Sequence, residues 1–177
     1  MVGVKIWDMK TAEQLHSLAG HHKDAVVNVT CSSTNLVLTG SSDGTVGLWN
    51  SSNGKNVGML ICGQEEGEGV ECVQVSGHDV FTGNLGGVAA MWDISSQVTK
   101  WGVAVGGAVT QLQLAEGVVY CGTEEGVVRG VDSRTGGAVM ELTGHKGAVL
   151  DMVIVGDNLV TASDDGTARV WDLRVNR

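Results

Sequence analysis

Proline is absent from the chain, which excludes proline-rich linkers and PxxP docking segments. Also missing is any run of the roughly 18 apolar residues that a membrane span needs. Met1-Val2-Gly3-Val4 opens no secretory signal peptide, so a cytoplasmic setting is expected. Positive charge is short: 11 Lys and Arg face 20 Asp and Glu. The resulting net charge of −9 disfavours nucleic acid or an anionic membrane as partner. A basic peptide or protein surface suits that sign better. Cys31, Cys62, Cys72 and Cys121 show no CxxC spacing. Neither a disulfide framework nor a zinc site is expected from them, and buried reduced thiols are. No cofactor or other metal is anticipated. What abounds is glycine, 27 residues and roughly twice the usual share. With a valine-rich background and 42% hydrophobic residues, it implies a folded all-β chain of short strands and tight turns.

Internal periodicity decides the fold class. Trp7, Trp49 and Trp92 recur at intervals of about 42, and Trp171 follows after about twice that, with Val131 near the missing midpoint. The surrounding segments align: Val4-Lys5-Ile6-Trp7-Asp8, Val46-Gly47-Leu48-Trp49-Asn50, Ala89-Ala90-Met91-Trp92-Asp93, Val128-Arg129-Gly130-Val131-Asp132 and Ala168-Arg169-Val170-Trp171-Asp172. Ahead of each complete period lie apolar clusters at strand spacing, such as Val26/Val29/Cys31 and Val149/Met152/Ile154. A second short strand follows, then a turn such as Asp43-Gly44 or Asp165-Gly166, suited to positive φ in a hairpin. Four strands per period of about 40 residues predict β-propeller blades. The predicted repeats are 9–50, 51–93, 94–132 and 133–173, with Val4–Asp8 as the third strand of a preceding blade.

Gly20-His21, Gly144-His145 and the Trp-Asp segments carry a resemblance to the WD-repeat family. It covers nearly the whole chain, from Val4 to Leu173; the first and fourth repeats match closely and the middle two are degraded. The resemblance implies a β-propeller of about four blades, four antiparallel strands per blade, its ring incomplete or completed by a second chain. It also implies a structural network of His145, Ser163, Asp165 and Trp171 in the fourth repeat, and of Ser41, Asp43, Trp49 and a histidine in the first. The dipeptide favours His21 for that place. The apolar register, counted against His145, favours His22 and is the stronger signal. His, Ser and Asp together suggest a hydrolytic triad. Against that, the serine sits on no Gly-x-Ser-x-Gly elbow, the set recurs in two repeats, and a tryptophan is a member. A buried polar chain that ties strands to the incoming loop is the expected role, and the protein is not expected to be an enzyme. The middle repeats place Asn84 and Gly86, then Thr123 and Glu125, at the Ser and Asp positions. Those blades are expected to rely on apolar packing and to be the less stable half.

In this family partners commonly dock on the face that carries the loops into the first strands and the turns between the second and third. By register, the first-strand positions are Val27, Glu71, Thr110 and Leu150, and the turn positions Ser42, Leu85, Glu124 and Asp164. The loop Gln64-Glu65-Glu66-Gly67-Glu68 joins the same rim. Apolar spots among carboxylates would suit a protein or peptide with a hydrophobic anchor flanked by Lys or Arg. The same carboxylates also fit an ordinary solvated loop surface.

An incomplete ring leaves three readings open: a segment of a longer polypeptide, an arc completed by a different protein, or a homodimer. In the homodimer each copy would lend its early outer strand, near Glu13–Leu18, to the other's last blade. The expected function is a scaffold or adaptor for protein–protein interaction. The alternatives are a structural rib in a larger assembly and, with less support, a small-ligand or enzymatic propeller. That last reading finds few convergent polar groups on the inner strands, only Asn28, Glu71, Gln111 and Asp151.

Overall fold

The computed structural model describes residues 3–63 and 67–174, all of them strand, turn or loop. A leading pair joins β1 (Gly3–Trp7) to β2 (Gln14–Ala19). Blade 1 follows with β3 (Val26–Cys31), β4 (Leu36–Ser41), β5 (Thr45–Asn50) and β6 (Asn56–Ile61). Blade 2 contains β7 (Val70–Ser76), β8 (Asp79–Asn84), β9 (Val88–Asp93) and β10 (Thr99–Ala104). Blade 3 contains β11 (Val109–Ala115), β12 (Val118–Thr123), β13 (Val128–Asp132) and β14 (Ala138–Leu142). Blade 4 contains β15 (Val149–Val155), β16 (Asn158–Ser163) and β17 (Ala168–Asp172). Strands pair antiparallel in chain order within every sheet. Four strands per blade therefore holds for blades 1–3; among the described residues blade 4 has three. The chain forms β-propeller blades, as the repeat predicts.

Each hairpin between a second and a third strand turns on a glycine at φ near +80°: Gly44, Gly87, Gly126 and Gly166. Only glycine adopts that conformation without strain, which is why Asp-Gly recurs there. Blades stack face to face, and their alternation supplies two apolar faces each. Leu38, Val46, Leu48 and Leu60 of blade 1 meet Val70, Val73 and Val80 of blade 2. Phe81, Ala89 and Met91 of blade 2 meet Val109, Leu112 and Val119 of blade 3. Tyr120, Val128 and Leu142 of blade 3 meet Val149, Met152 and Leu159 of blade 4. The leading pair covers the outer half of blade 1 through Val4, Ile6 and Leu18 on Val37 and Trp49. None of these clusters joins the first sheet to the last.

Side-chain size is traded across these interfaces. Blade 3 has Val131 where its neighbours have tryptophan, and Trp101 of β10 packs against the cluster containing it. Trp101 Nε1 donates to Ser133 O at 3.0 Å, and its ring lies over Gly136, where an added Cβ would fall 2.9 Å from Cδ2. At the matched place between blades 1 and 2 the strand residue is Gly58 and the loop residue Gln97, whose side chain fills the space. One interface puts the bulk on the strand, the other on the loop.

The cysteines are all free. Cys72 and Cys121 are buried and Cys62 is partly so, as expected of reduced thiols, but Cys31 is exposed. It lies at the end of β3 on the face that the leading pair leaves uncovered.

Candidate functional site

Blade 4 assembles its polar residues around a threonine. Trp171 Nε1 donates to Thr161 Oγ1 at 3.0 Å, and His145 Nε2 stands 2.7 Å from the same oxygen. His145 Nδ1 lies 3.0 Å from Asp165 Oδ2. A consistent donor order runs from indole to threonine to imidazole to carboxylate. Asp165 also accepts from Lys146 N at 2.9 Å and Thr167 N at 2.8 Å, which ties the turn to the incoming loop. The Thr167 hydroxyl, the Lys146 amide and His145 hold its carboxyl well below the usual range. Ser163 stands beside this chain, not in it: Oγ donates to Gly147 O at 2.9 Å and accepts from Asp165 N.

Blade 1 repeats the arrangement and chooses between the two histidines. His22 Nε2 is 2.6 Å from Thr39 Oγ1, to which Trp49 Nε1 donates at 2.9 Å. His22 Nδ1 reaches Thr45 Oγ1 at 3.1 Å and Asp43 at 3.4 Å, whereas His21 only sets its ring edge-on to Trp49. Burial pulls the Asp43 carboxyl upward, but hydrogen bonds from the Thr45 side chain and the Lys23 and Thr45 amides leave it below its ordinary value. Ser41 Oγ donates to Asp24 O at 3.2 Å. Ser41 and Ser163 both turn to backbone carbonyls, so the serine–histidine contact of a hydrolytic triad is not made, and the hydroxyl that meets each imidazole, Thr39 or Thr161, is buried and already accepts from an indole.

The hub threonines escaped the sequence reading. The available signal was a threonine ten residues ahead of three tryptophans: Thr39, Thr82 and Thr161. In blade 2 Trp92 still donates to Thr82 at 3.0 Å, and the Cys62 thiol takes the imidazole's side of that hydroxyl. Burial pushes this thiol up to about 12, so it stays neutral. Asn84, at the serine position, accepts from Val88 N through Oδ1 and reaches Cys62 O through Nδ2. Blade 3 drops the whole chain. Val105, Cys121 and Val131 stand at the histidine, threonine and tryptophan places, together in one buried cluster. Among the described residues no group of three or more His, Cys, Asp or Glu could hold a metal.

The loop-bearing face is set by the backbone. Pairing of the first strand slips between Val26 and Asn28, Val70 and Cys72, Val109 and Gln111, and Val149 and Asp151. The residue skipped each time is Val27, Glu71, Thr110 or Leu150. These four positions are thus β-bulges, a device that re-aims a side chain. In every blade the turn residue also donates its amide to the residue before the first strand: Ser42 to Ala25 O, Leu85 to Gly69 O, Glu124 to Ala108 O and Asp164 to Ala148 O. Val27, Leu85, Glu124, Leu150 and Asp164 are exposed, and Ser42 and Glu71 are half-buried. Thr110 is committed elsewhere, its hydroxyl bonded to Val149 O of the next blade at 2.5 Å and lying 3.1 Å from Gly122 O. Ser42 and Leu85 line one cleft of about 610 Å³ with Lys23, Asp24, Asp43 and Glu68. Gln64, Glu65 and Glu66 lie outside the described residues.

With this geometry in place, the comparisons with known proteins agree. The family described as WD domain, G-beta repeat matches residues 12–50 and 136–172. The chain is 31% identical to Angio-associated migratory cell protein of Canis lupus familiaris over 95% of its own length, and spans 43% of that relative. Among solved structures it is similar to the computationally designed Ika8 protein, with TM-score 0.83 and 27% identity over 95% of this chain and 52% of that one. Saccharomyces cerevisiae Sqt1 shares the fold at TM-score 0.84 and 19% identity, over 94% of this chain and 51% of Sqt1.

Proposed function

Because this chain is a WD-repeat protein built of β-propeller blades, we propose that it is a scaffold that holds a protein or peptide on its loop-bearing face. WD-repeat proteins generally act as scaffolds for protein interactions, and the typical member is not an enzyme. The observation that carries the reading is the repeated bulge. All four blades, with and without the buried polar chain, carry the bulge at the same skipped position. Val27 and Leu150 are exposed there, and Leu85 is exposed on the neighbouring turn. Glu124 and Asp164 lie exposed at the equivalent turns. Apolar anchors among carboxylates on an acidic chain suit a segment with a hydrophobic residue flanked by Lys or Arg.

The test uses defined peptides, each a single Leu, Phe or Trp flanked by lysines, with matched glutamate-flanked controls. Binding by fluorescence anisotropy is expected for the lysine series, weakening with salt, and lost in the Leu85→Asp and Leu150→Asp variants. Equal binding of both series, or undiminished binding by both variants, would remove the assignment. The rib-like alternative is favoured by a different feature, the exposed apolar end of blade 4.

A further inference from the structure

The loops that join a third strand to a fourth grip the outer strand before them. Ser52 O of blade 1 meets His16 Nε2 at 3.0 Å, Gln97 Nε2 of blade 2 donates to Val57 O at 3.4 Å, and Ser133 O of blade 3 accepts from Trp101 Nε1 at 3.0 Å. In blade 1 the grip is close, since a Cβ added at Gly54 would fall 2.9 Å from His16 Cβ. Two backbone bonds shape this loop, from Asn50 N to Lys55 O and from Gly54 N to Asn50 O, each 2.9 Å. Its tip is Asn53-Gly54, where the other two loops carry Ser96-Gln97 and Thr135-Gly136.

An asparagine followed by glycine sets a neutral carboxamide beside an unhindered backbone nitrogen. No other asparagine of the chain precedes glycine. Valine, leucine, serine or arginine follows the rest, and a Cβ there crowds the approach of the nitrogen. Asn53 is exposed, and its Oδ1 accepts from Lys55 N at 2.9 Å. That bond closes a ring containing the Gly54 nitrogen, so it folds Cγ back over the peptide that would attack it. It also places an N–H donor on the oxygen where negative charge develops. The restraint is the Gly54 N–H, which is directed at Asn50 O and is released when the exposed loop opens locally. The Asp-Gly turns do not share this chemistry. Asp43 and Asp165 are carboxylates without a neutral leaving group, and the amides of Lys23 and Lys146 hold them toward the incoming loops.

We propose that Asn53 is a site of spontaneous covalent modification, converting to an isoaspartyl linkage that loosens the leading pair from blade 1. Gly54 N bonds to Asn53 Cγ, and its proton passes through solvent to Nδ2. The Cγ–Nδ2 bond breaks and ammonia leaves, which closes a cyclic imide. Water then opens the ring. Addition at the former backbone carbonyl of Asn53 routes the chain through the side chain, whereas addition at Cγ gives ordinary aspartate. One water is consumed and one ammonia released, with no oxidant or enzyme required. The isoaspartyl form lengthens the main chain by a methylene between Asn50 and Lys55 and leaves a carboxylate on it. The two bonds that close the loop cannot both be kept across the longer chain, so Ser52 O withdraws from His16.

The experiment ages the folded protein in mildly alkaline buffer at physiological temperature and maps its peptides by mass spectrometry, beside a synthetic peptide of residues 49–57. The expected result is an amide-to-acid mass change at Asn53 before any other asparagine, with isoaspartate as the main product by electron-transfer fragmentation. Hydrogen exchange of the aged protein should show the β2 amides several-fold less protected and those of β11–β13 unchanged. Asn53→Ser, which keeps an oxygen for the Lys55 amide, should retain β2 protection through the same incubation. Asn53→Asp, which adds the charge without lengthening the chain, should retain it as well. Asn53 still intact once the peptide has converted, or another asparagine reacting first, would overturn the proposal. So would full β2 protection in the isoaspartyl protein, a loss of protection on ageing Asn53→Ser as large as the parent's, or an equal loss in freshly prepared Asn53→Asp.

Discussion

Replacing Thr39 by valine keeps the shape of a fully buried side chain and deletes only its hydroxyl. That hydroxyl serves two buried ring nitrogens, Trp49 Nε1 at 2.9 Å and His22 Nε2 at 2.6 Å. The variant offers no replacement partner and opens no cavity, so the loss is one of hydrogen bonding alone. Each buried polar group left unsatisfied costs about 1–3 kcal/mol. His22 keeps its contacts to Thr45 and Asp43, so the total should lie near 2–5 kcal/mol, about a third of a typical domain's stability. For a chain of this size that corresponds to a fall in melting temperature of roughly 4–20 °C. Thr39→Ser, which keeps the hydroxyl, should cost only about 1 kcal/mol. The mirror exchange, Cys121→Thr, places a hydroxyl among Val105 and Val131 and should also destabilise, by about 1–3 kcal/mol. Urea unfolding followed by fluorescence measures these values. Hydrogen exchange of the β4–β5 amides then localises the loss, since a repeat array can open blade by blade. Thr39→Val within about 0.5 kcal/mol of the parent, or a stabilising Cys121→Thr, would refute the reasoning.

Other outcomes follow from the same geometry. Gly136→Ala introduces a Cβ at φ +72° and 2.9 Å from Trp101, so it should cost about 1–3 kcal/mol and shift the indole emission; unchanged melting and emission would contradict the packing. Asp165 has a folded pKa below its unfolded one, so its contribution to stability is present above the ordinary carboxylate range and lost as pH falls through the depressed value. The melting difference between parent and Asp165→Asn should therefore be largest near neutrality and close on acidification; a constant difference would exclude this linkage. Hydrogen exchange should show β8 and β12, flanked by blades on both sides, better protected than β3 and β15, each with one uncovered face. Stronger protection at the ends would instead support the expectation, drawn from the missing polar residues, that the middle blades are weakest.

How much the sequence disclosed depended on whether a feature has a period. The strands, the Asp-Gly turns and the number of blades repeat every 40 or so residues, and repetition exposes them even where Val131 replaces tryptophan. The bulge positions emerged by the same route, because Val27, Glu71, Thr110 and Leu150 share a register before anything is known of their pairing. The hub threonines also recur, but a threonine inside an apolar strand looks like ordinary β-branched filling. Only the distances reveal that Thr161, not Ser163, links His145 to Trp171. Trp101 against Gly136 was hidden for another reason. It spans two blades, and no single repeat contains both halves of the trade.

Blade 3 separates what holds this fold from what it presents. It lacks histidine, threonine and tryptophan at the three chain positions, yet its first strand carries the same bulge and its turn the same amide bond, Glu124 to Ala108 O. The polar chain is therefore one of two ways to support the same backbone. Buried polarity is costly when partly satisfied, so intermediate forms are disfavoured unless a neutral substitute such as Cys62 beside Thr82 completes them. It follows that a change inside the polar chain should lower stability without altering the loop face of the other blades. At temperatures well below its melting point, Thr39→Val should bind a loop-face peptide as tightly as the parent does, while Leu150→Asp, which touches no part of the chain, should not. Equal loss of binding in both variants at full folding would show that the chain does more than support.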